Sequence, residues 1–441
     1  MSFEPEFLQQ IRPEWAEWFL SRPALAQLII VFLVSWAMAW AVNRYSRYVA
    51  IWFDLITRSI PNGSEPAEYV KSARRAAKLE TFFWTPLFAA ALTGVYALFV
   101  HRGGIANLLH YYEVDGWTTT LFSIWDASLF RPMGLQNFIG FFVLSIILLA
   151  ATLCDIRRKI IPDLVPLTGI AAGIALALTT HTLFVHVQLY APLNVSETEY
   201  TLIPIQNFTP LTFAAPYLAP KWELGTKILM ACGCWAFFAF AFLFRPIRLR
   251  RIRCRLGLYF LRLVRERLTY ATLAIAVIGL CATIWTLCNS DVNRQNAVLS
   301  SLFGMTFAGL AVWAVRIVGR WTLGMEAIGF GDVTLMMAIG AFTGWQAIPI
   351  IFFLSPATGL IVGIIMLFFG QRHVPLGPFL CLTTAIWFLC FDLIWNFCLP
   401  MYILGASTVL LLLLVCLAMM AAMLWIIQVI KLKWLLTQTK P

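Results

Sequence analysis

The feature that most limits what this chain can fold into is the recurrence of apolar runs about as long as a bilayer is thick. Runs of roughly 17 to 25 residues with few charges recur along its whole length, and a helix of that size crosses about 30 Å of hydrocarbon. In lipid every backbone N–H and C=O must be satisfied within its own segment, so these runs are helices. A barrel would show alternating strands of about ten residues instead. Composition agrees, with 61% hydrophobic and 12% charged residues, and excludes an ordinary soluble globule. Spans are expected at Ala24–Asn43, Phe82–His101, Asn137–Cys154, Leu164–Thr180, Thr226–Phe244, Thr269–Cys288, Val298–Ile317, Val333–Thr343, Gln346–Phe369, Phe379–Asn396 and Met401–Ile430. The expected fold is all-α, a polytopic transmembrane helical bundle of about 11 spans. Val333–Thr343 is short, about 16 Å at 1.5 Å per residue, and crosses only part of the core.

Lys and Arg then orient the bundle. With the N-terminus outside and the C-terminus cytoplasmic, the inward loops are Arg44–Thr81, Asp155–Asp163, Arg245–Leu268, Arg316–Asp332, Gly370–Leu376 and the C-terminal tail. These hold 25 of the 32 basic residues and leave 7 outside, which decides for this orientation. The densest stretch, RPIRLRRIRCRLGLYFLRLVRERL, accounts for much of the net charge of +11. Its expected partners are anionic lipid headgroups and not nucleic acid. The N-terminal segment carries four Glu before any apolar run and lacks the basic start of a cleavable signal. The ten Cys lie mostly inside apolar runs, as reduced thiols do, and not in a disulfide framework.

Within this apolar chain the acids are informative. Asp332 stands in Gly329-Phe330-Gly331-Asp332, at the mouth of the short apolar segment. A carboxylate near a membrane helix is costly and points to function, and the glycines leave room for a peptide or a second helix to lie against it. Asp155 follows Cys154 at the end of the third long span, on the same side and at the same depth. Asp163 comes after Pro162, which breaks any helix and prepares the next span. Two carboxyls brought together in a poorly solvated site share a proton, so one can act as base on a water and the other as acid toward a carbonyl. Their titration would belong to the pair.

At this point the residues resemble the type IV prepilin peptidases, membrane aspartic proteases of the GxGD type. Asp155 through Ile161-Pro162-Asp163 resembles the family's first aspartate and the Pro-Asp that closes the following loop. Gly324 to Pro349, GMEAIGFGDVTLMMAIGAFTGWQAIP, resembles the second aspartate with its glycine pair, short helix and Gly-Trp-Gln turn. Val374-Pro375-Leu376-Gly377-Pro378-Phe379 resembles the Pro-x-Gly-Pro-Phe lead into a later helix. The resemblance covers Asn137–Thr180 and Val298–Asn396, about a third of the chain. It implies Asp155 and Asp332 as catalytic acids, with Gly329, Gly331, Pro162, Asp163, Pro375 and Gly377 supporting them or touching substrate. It further implies an aspartic endopeptidase in a prokaryotic plasma membrane, facing the cytoplasm. The substrate implied is a type IV pilin-like or pseudopilin precursor with a single apolar helix, cut at the cytoplasmic boundary of that helix.

Departures from the family set the remaining expectations. Bifunctional members carry paired CxxC motifs in an N-terminal cytoplasmic segment, associated with zinc and N-methylation. Here Arg44–Thr81 holds no Cys, and Cys232 and Cys234 lie within an apolar span, so no metal, cofactor or methyltransferase is expected. Four regions are expected: 1–136, two spans with a basic loop; 137–180 with 298–397, the peptidase-like core; 181–297, an inserted two-span region; and 398–441, an extra C-terminal helix. The insert reads first as a brace. The bland alternative for the two acids is ion pairing with Arg157, Arg158, Lys159 or Arg316, and Asp163 reads as a loop-closing or N-capping acid. Trp345 reads as an interfacial anchor. Rival functions are a proton-coupled transporter using the same acids, though no internal repeat supports it, and an inactive scaffold of a pilus or secretion apparatus.

Overall fold

The computed structural model describes residues 18–57, 82, 84–98, 100, 127–158, 160–179, 189–196, 199–205, 223–243, 267–290, 292–323, 329–368, 377–390, 394, 397–398, 410–415 and 417–419. Their helices, in chain order, are α1 (Ala24–Thr57), α2 (Trp84–Leu98), α3 (Ala127–Arg158), α4 (Leu164–Thr179), α5 (Leu224–Leu243), α6 (Arg267–Asn289) and α7 (Val292–Leu323). After these come α8 (Phe330–Thr343), α9 (Ala347–Phe368), α10 (Gly377–Leu389) and α11 (Leu410–Met419). Among the described residues five helices contain stretches long and apolar enough to cross a membrane: Ala24–Ile51, Phe138–Arg158, Leu224–Phe242, Thr269–Asn289 and Ala297–Thr322. The protein is an all-α, multi-pass membrane bundle, as its apolar runs require.

Two features differ from expectation. Leu189–Ser196 and Glu199–Ile205, within the expected external loop of the insert, form an antiparallel hairpin of strands β1 and β2, with Leu189 opposite Ile205 and Asn194 opposite Tyr200. Tyr, Val, Thr and Ile favour the pleated chain. Pro192 and Pro204 are tolerated because each strand of a two-stranded ribbon has a free edge. The second difference is that helices outrun the apolar runs that announce them. α3 continues through Asp155 to Arg158, and α8 begins at Phe330, so both acids stand on helices and not beside them.

The short helix α8 is the centre of the bundle. Every residue from Val333 to Thr343 is buried, the pattern of a helix enclosed on all sides. One face, with Val333, Leu335, Met336, Ile339 and Phe342, joins an apolar cluster that includes Phe141 and Leu144 of α3, Ile348 and Ile351 of α9, and Trp387 and Phe388 of α10. The other, with Met337, Ala338 and Ala341, joins a cluster that includes Ile170 and Ile174 of α4, Trp235 and Phe238 of α5, and Leu302 and Met305 of α7.

Small residues make this enclosure possible, since helices in lipid associate by close packing and not by escape from water. A Cβ on Gly169 would stand 3.0 Å from the Ala338 Cβ, and one on Gly173 would stand 3.0 Å from the Ala341 Cβ and the Phe342 ring. Gly304 of α7 and Gly340 of α8 face each other backbone to backbone, and the Ser301 hydroxyl donates to the Ala341 carbonyl at 2.7 Å. At the far end Gly344 takes a φ of 72° and donates its N–H to the Gly340 carbonyl, turning the chain toward α9. Trp345, expected at an interface, is instead buried, edge-on to Phe303 and Phe307 with centroids 6.1 and 5.5 Å away. The turn at Gly344 tucks it under α7.

The insert is packed into the bundle. α5 and α6 lie against each other, with the Trp235 ring filling the space a side chain at Gly279 would occupy, and Phe237 reaches Gly309 of α7. On the opposite flank α1 lies along α3. Tyr96 of α2 donates to Gln27 of α1 at 2.6 Å and packs edge-on to Phe138 of α3, 5.0 Å between centroids.

Candidate active site

Asp155 stands in the last turn of α3, buried at 6% exposure. Asp332 stands in the first turn of α8 and is partly exposed. Its helix starts after Gly329, the residue in the capping position, and the Asp332 carboxylate accepts the Gly329 backbone N–H. An acid three residues past the cap is well placed to reach back in this way, and its negative charge also suits the positive end of the helix.

The two acids come from helices far apart in sequence and lie within electrostatic reach of one another. Three side contacts tie them together. Gly377, at the start of α10, lies directly on Asp155: a Cβ there would stand 2.5 Å from the carboxylate Oδ2 and 3.2 Å from its Cγ. Gly331 lies on Ile161, where a Cβ would stand 3.1 Å from the isoleucine Cβ. The same Ile161 reaches Gly377, its Cδ1 being 3.2 Å from that glycine's Cβ position. Ile161 is therefore a buried wedge between the glycine beside Asp332 and the glycine on Asp155.

Cys381, one turn beyond Gly377, is buried, hydrogen-bonded with the Thr152 side chain and within electrostatic reach of both acids. Thr152 lies one turn before Asp155. Neither Thr152, Cys381 nor Ile161 stood out in the sequence as a functional residue. Helical spacing could have found the first two, since Thr152 with Asp155 and Gly377 with Cys381 are i,i+3 and i,i+4 neighbours.

Asp163 immediately precedes α4, and its carbonyl accepts the Leu167 N–H at 3.1 Å while the Pro162 carbonyl accepts that of Val165 at 3.0 Å. This is the expected helix-starting position. Gly324–Ile328, Val374–Leu376 with Pro375, and the Arg-rich segment 245–266 lie outside the described residues.

Two of the basic residues offered as ion-pair partners make these contacts, among others. Arg157 donates to Asn43 and Ser46 of α1. The Arg316 guanidinium, buried on α7, lies 5.5 Å from the centroid of the Phe330 ring, between the two glycines of the motif. Among the described residues no three His, Cys, Asp or Glu converge as a metal site would require.

Residues 259–364 match the type IV leader peptidase family. That stretch contains Asp332 and takes in α6, which the sequence reading had assigned to the insert; Asp155 and Gly377 lie outside it. Curated relatives include a prepilin leader peptidase/N-methyltransferase of Pseudomonas aeruginosa, 36% identical over 87 residues, which is 19% of this chain and 30% of the relative. Proteins of the same name from Burkholderia pseudomallei and Neisseria gonorrhoeae are 30% identical over 113 residues and 32% over 125. Those alignments cover 25% and 28% of this chain and 34% and 41% of the relatives. The chain thus spans only about a third of the length of the curated relatives it matches. No solved structure matches the chain. The central portion of this bundle, with α8 at its middle, is thus similar to a segment of the type IV leader peptidase family.

Proposed function

We propose that the protein is a membrane aspartic endopeptidase that removes the leader of type IV prepilin-like precursors, with Asp155 and Asp332 as a water-activating pair. The observation that supports this is that Asp155, at the end of α3 and against the side-chain-free face of Gly377, lies within electrostatic reach of Asp332 at the start of α8. In this reading one carboxylate takes a proton from a water as its oxygen attacks the scissile carbonyl carbon. The other, protonated, donates to the carbonyl oxygen, and the leaving amine receives a proton as the C–N bond breaks. The chemistry calls for no cofactor. Gly329, Gly331, Pro162, Asp163, Pro375 and Gly377 support the pair or line the peptide.

The substrate is a pilin-like precursor whose single apolar helix lies in the bilayer, so that its leader junction meets the site at the membrane boundary. In this reading that boundary is the cytoplasmic face of a prokaryotic inner membrane, an orientation the basic-residue distribution supports, with the Arg-rich loop on anionic lipid. The relatives' names join the peptidase to an N-methyltransferase; only the peptidase is proposed here.

The test is direct. Purified protein in detergent is expected to cleave a peptide with a basic leader followed by an apolar helix, while Asp155→Asn and Asp332→Asn each abolish cleavage and remain folded. Turnover equal to the parent by either variant overturns the reading. Proton-coupled uptake dependent on these acids would replace it with a transporter.

A further inference from the structure

One buried polar cluster lies outside the two-acid site yet touches the same turn of α3. Asn43 and Ser46, on the α1 helix, are buried at 4% and 0% exposure. The Arg157 Nη2 donates to the Asn43 side-chain oxygen at 2.6 Å, and its Nη1 donates to the Asn43 carbonyl at 3.4 Å and to the Ser46 hydroxyl. Ser46 in turn donates to the Asn43 carbonyl at 3.0 Å. Tyr45, between them, lies within electrostatic reach of Cys154. A guanidinium held by a planar amide, a carbonyl and a hydroxyl is fixed in direction as well as position. Such a group does not relocate cheaply in a low-dielectric interior.

Arg157 is two residues beyond Asp155, and both belong to the final turn of α3, where helices ordinarily fray. On its other side Asp155 is bounded by Gly377. The helix ends at Arg158, three residues before Ile161.

We infer that Asn43, with Ser46, is a positioning residue for Asp155. α1, which lies outside the segment matched to the peptidase family, clamps Arg157, keeps the last turn of α3 helical, and so holds the Asp155 carboxylate against Gly377. The active centre is then built from three parts of the chain, with the N-terminal helix as its outer wall. A simple brace between α1 and α3 would predict lost stability on breaking the clamp, with the chemistry unchanged in the molecules that stay folded. A positioning role predicts slower turnover at an unchanged grip on substrate.

This inference rests on the peptidase reading for its kinetic arm only. The test compares Asn43→Leu, Asn43→Asp and a distant control, Tyr96→Phe, which removes the bond to Gln27. In Asn43→Leu kcat for a leader peptide is expected to fall about ten- to a hundred-fold, the usual effect of misplacing a reacting group by about 1 Å, with KM within about two-fold of the parent. Asn43→Asp, which keeps an acceptor for Arg157, is expected to restore most of the rate, and Tyr96→Phe to lower the melting temperature with kcat retained. The second arm needs no turnover. Labelling of Asp155 by a water-soluble carbodiimide and an amine, read by mass spectrometry, is expected to rise several-fold in Asn43→Leu while labelling of Asp332 stays constant. Unchanged labelling of Asp155, or a kinetic loss carried by KM alone, overturns the inference. If the parent cleaves nothing, the peptidase reading falls, and the labelling result alone decides the clamp.

Discussion

Asp332 performs a structural task whatever its chemistry, because its carboxylate accepts the N–H of Gly329 at the start of α8. Asn can supply a similar acceptor and Ala cannot. Asp332→Asn should therefore keep nearly the parent's stability while losing cleavage, and Asp332→Ala should also lose about 1 kcal/mol of stability, measurable by thermal unfolding in detergent. Gly377 makes the complementary case. Its Cα faces the Asp155 carboxylate so closely that a methyl group would stand 2.5 Å from Oδ2, so Gly377→Ala must move either the carboxylate or α10. With the acid displaced on the order of 1 Å, kcat/KM on a leader peptide should drop about a hundred-fold, with the protein still folded. Rates near the parent's would show that Asp155 need not lie where it does.

At the scale of elements, α8 decides the bundle. It is too short for a full crossing, about 21 Å at 1.5 Å per residue, and it is buried from Val333 to Thr343. Its neighbours approach it through Gly169, Gly173 and Gly304. Gly304→Ala or Gly340→Ala would drive a methyl group into the facing backbone of the other helix, and no rotamer change relieves a backbone collision. Each should destabilise by about 1 to 3 kcal/mol, the usual cost of overpacking, and lower the melting temperature. Because α7 would be pushed away from the helix that carries Asp332, cleavage should fall as well. The double variant should lose less than the sum of the singles, since the first separation of the helices relieves the second clash.

At the scale of the molecule, α8 and the helices packed on it, α3, α4, α7, α9 and α10, are flanked on both sides. α5 and α6 extend one apolar cluster, and α1 and α2 cover the other side of α3 with a third. The flanking helices are thus continuous with the core, so cutting out residues 181–297 would strip an apolar surface from α4 and α7. The orientation proposed from basic residues has its own test. In a variant whose other cysteines are replaced, Cys254 in the Arg-rich loop should react with a membrane-impermeant maleimide in inside-out vesicles and not in intact spheroplasts. The opposite pattern would place Asp155 and Asp332 on the outer face.

The sequence by itself determined the solvent, the helical class and the family its motifs resemble, and it singled out the two acids. These depend on local quantities: the length of an apolar run, the spacing of glycines around Asp332, and Pro162 before a new helix. Helix ends were less legible, because hydropathy stops where the lipid stops, while hydrogen bonding carried α3 on to Arg158 and α8 back to Phe330. The hairpin was missed because Leu189–Ile205 alternates too weakly to outweigh a loop reading. Only the tertiary structure decided that α8 is the enclosed centre, that Trp345 is buried, and that Ile161, Thr152 and Cys381 gather around the acids. Nor does any local pattern in α1 announce that Asn43 receives Arg157. Such pairings arise from helices distant in sequence meeting at backbone separations that a linear chain does not encode locally, and glycine supplies those separations by leaving space for a neighbour.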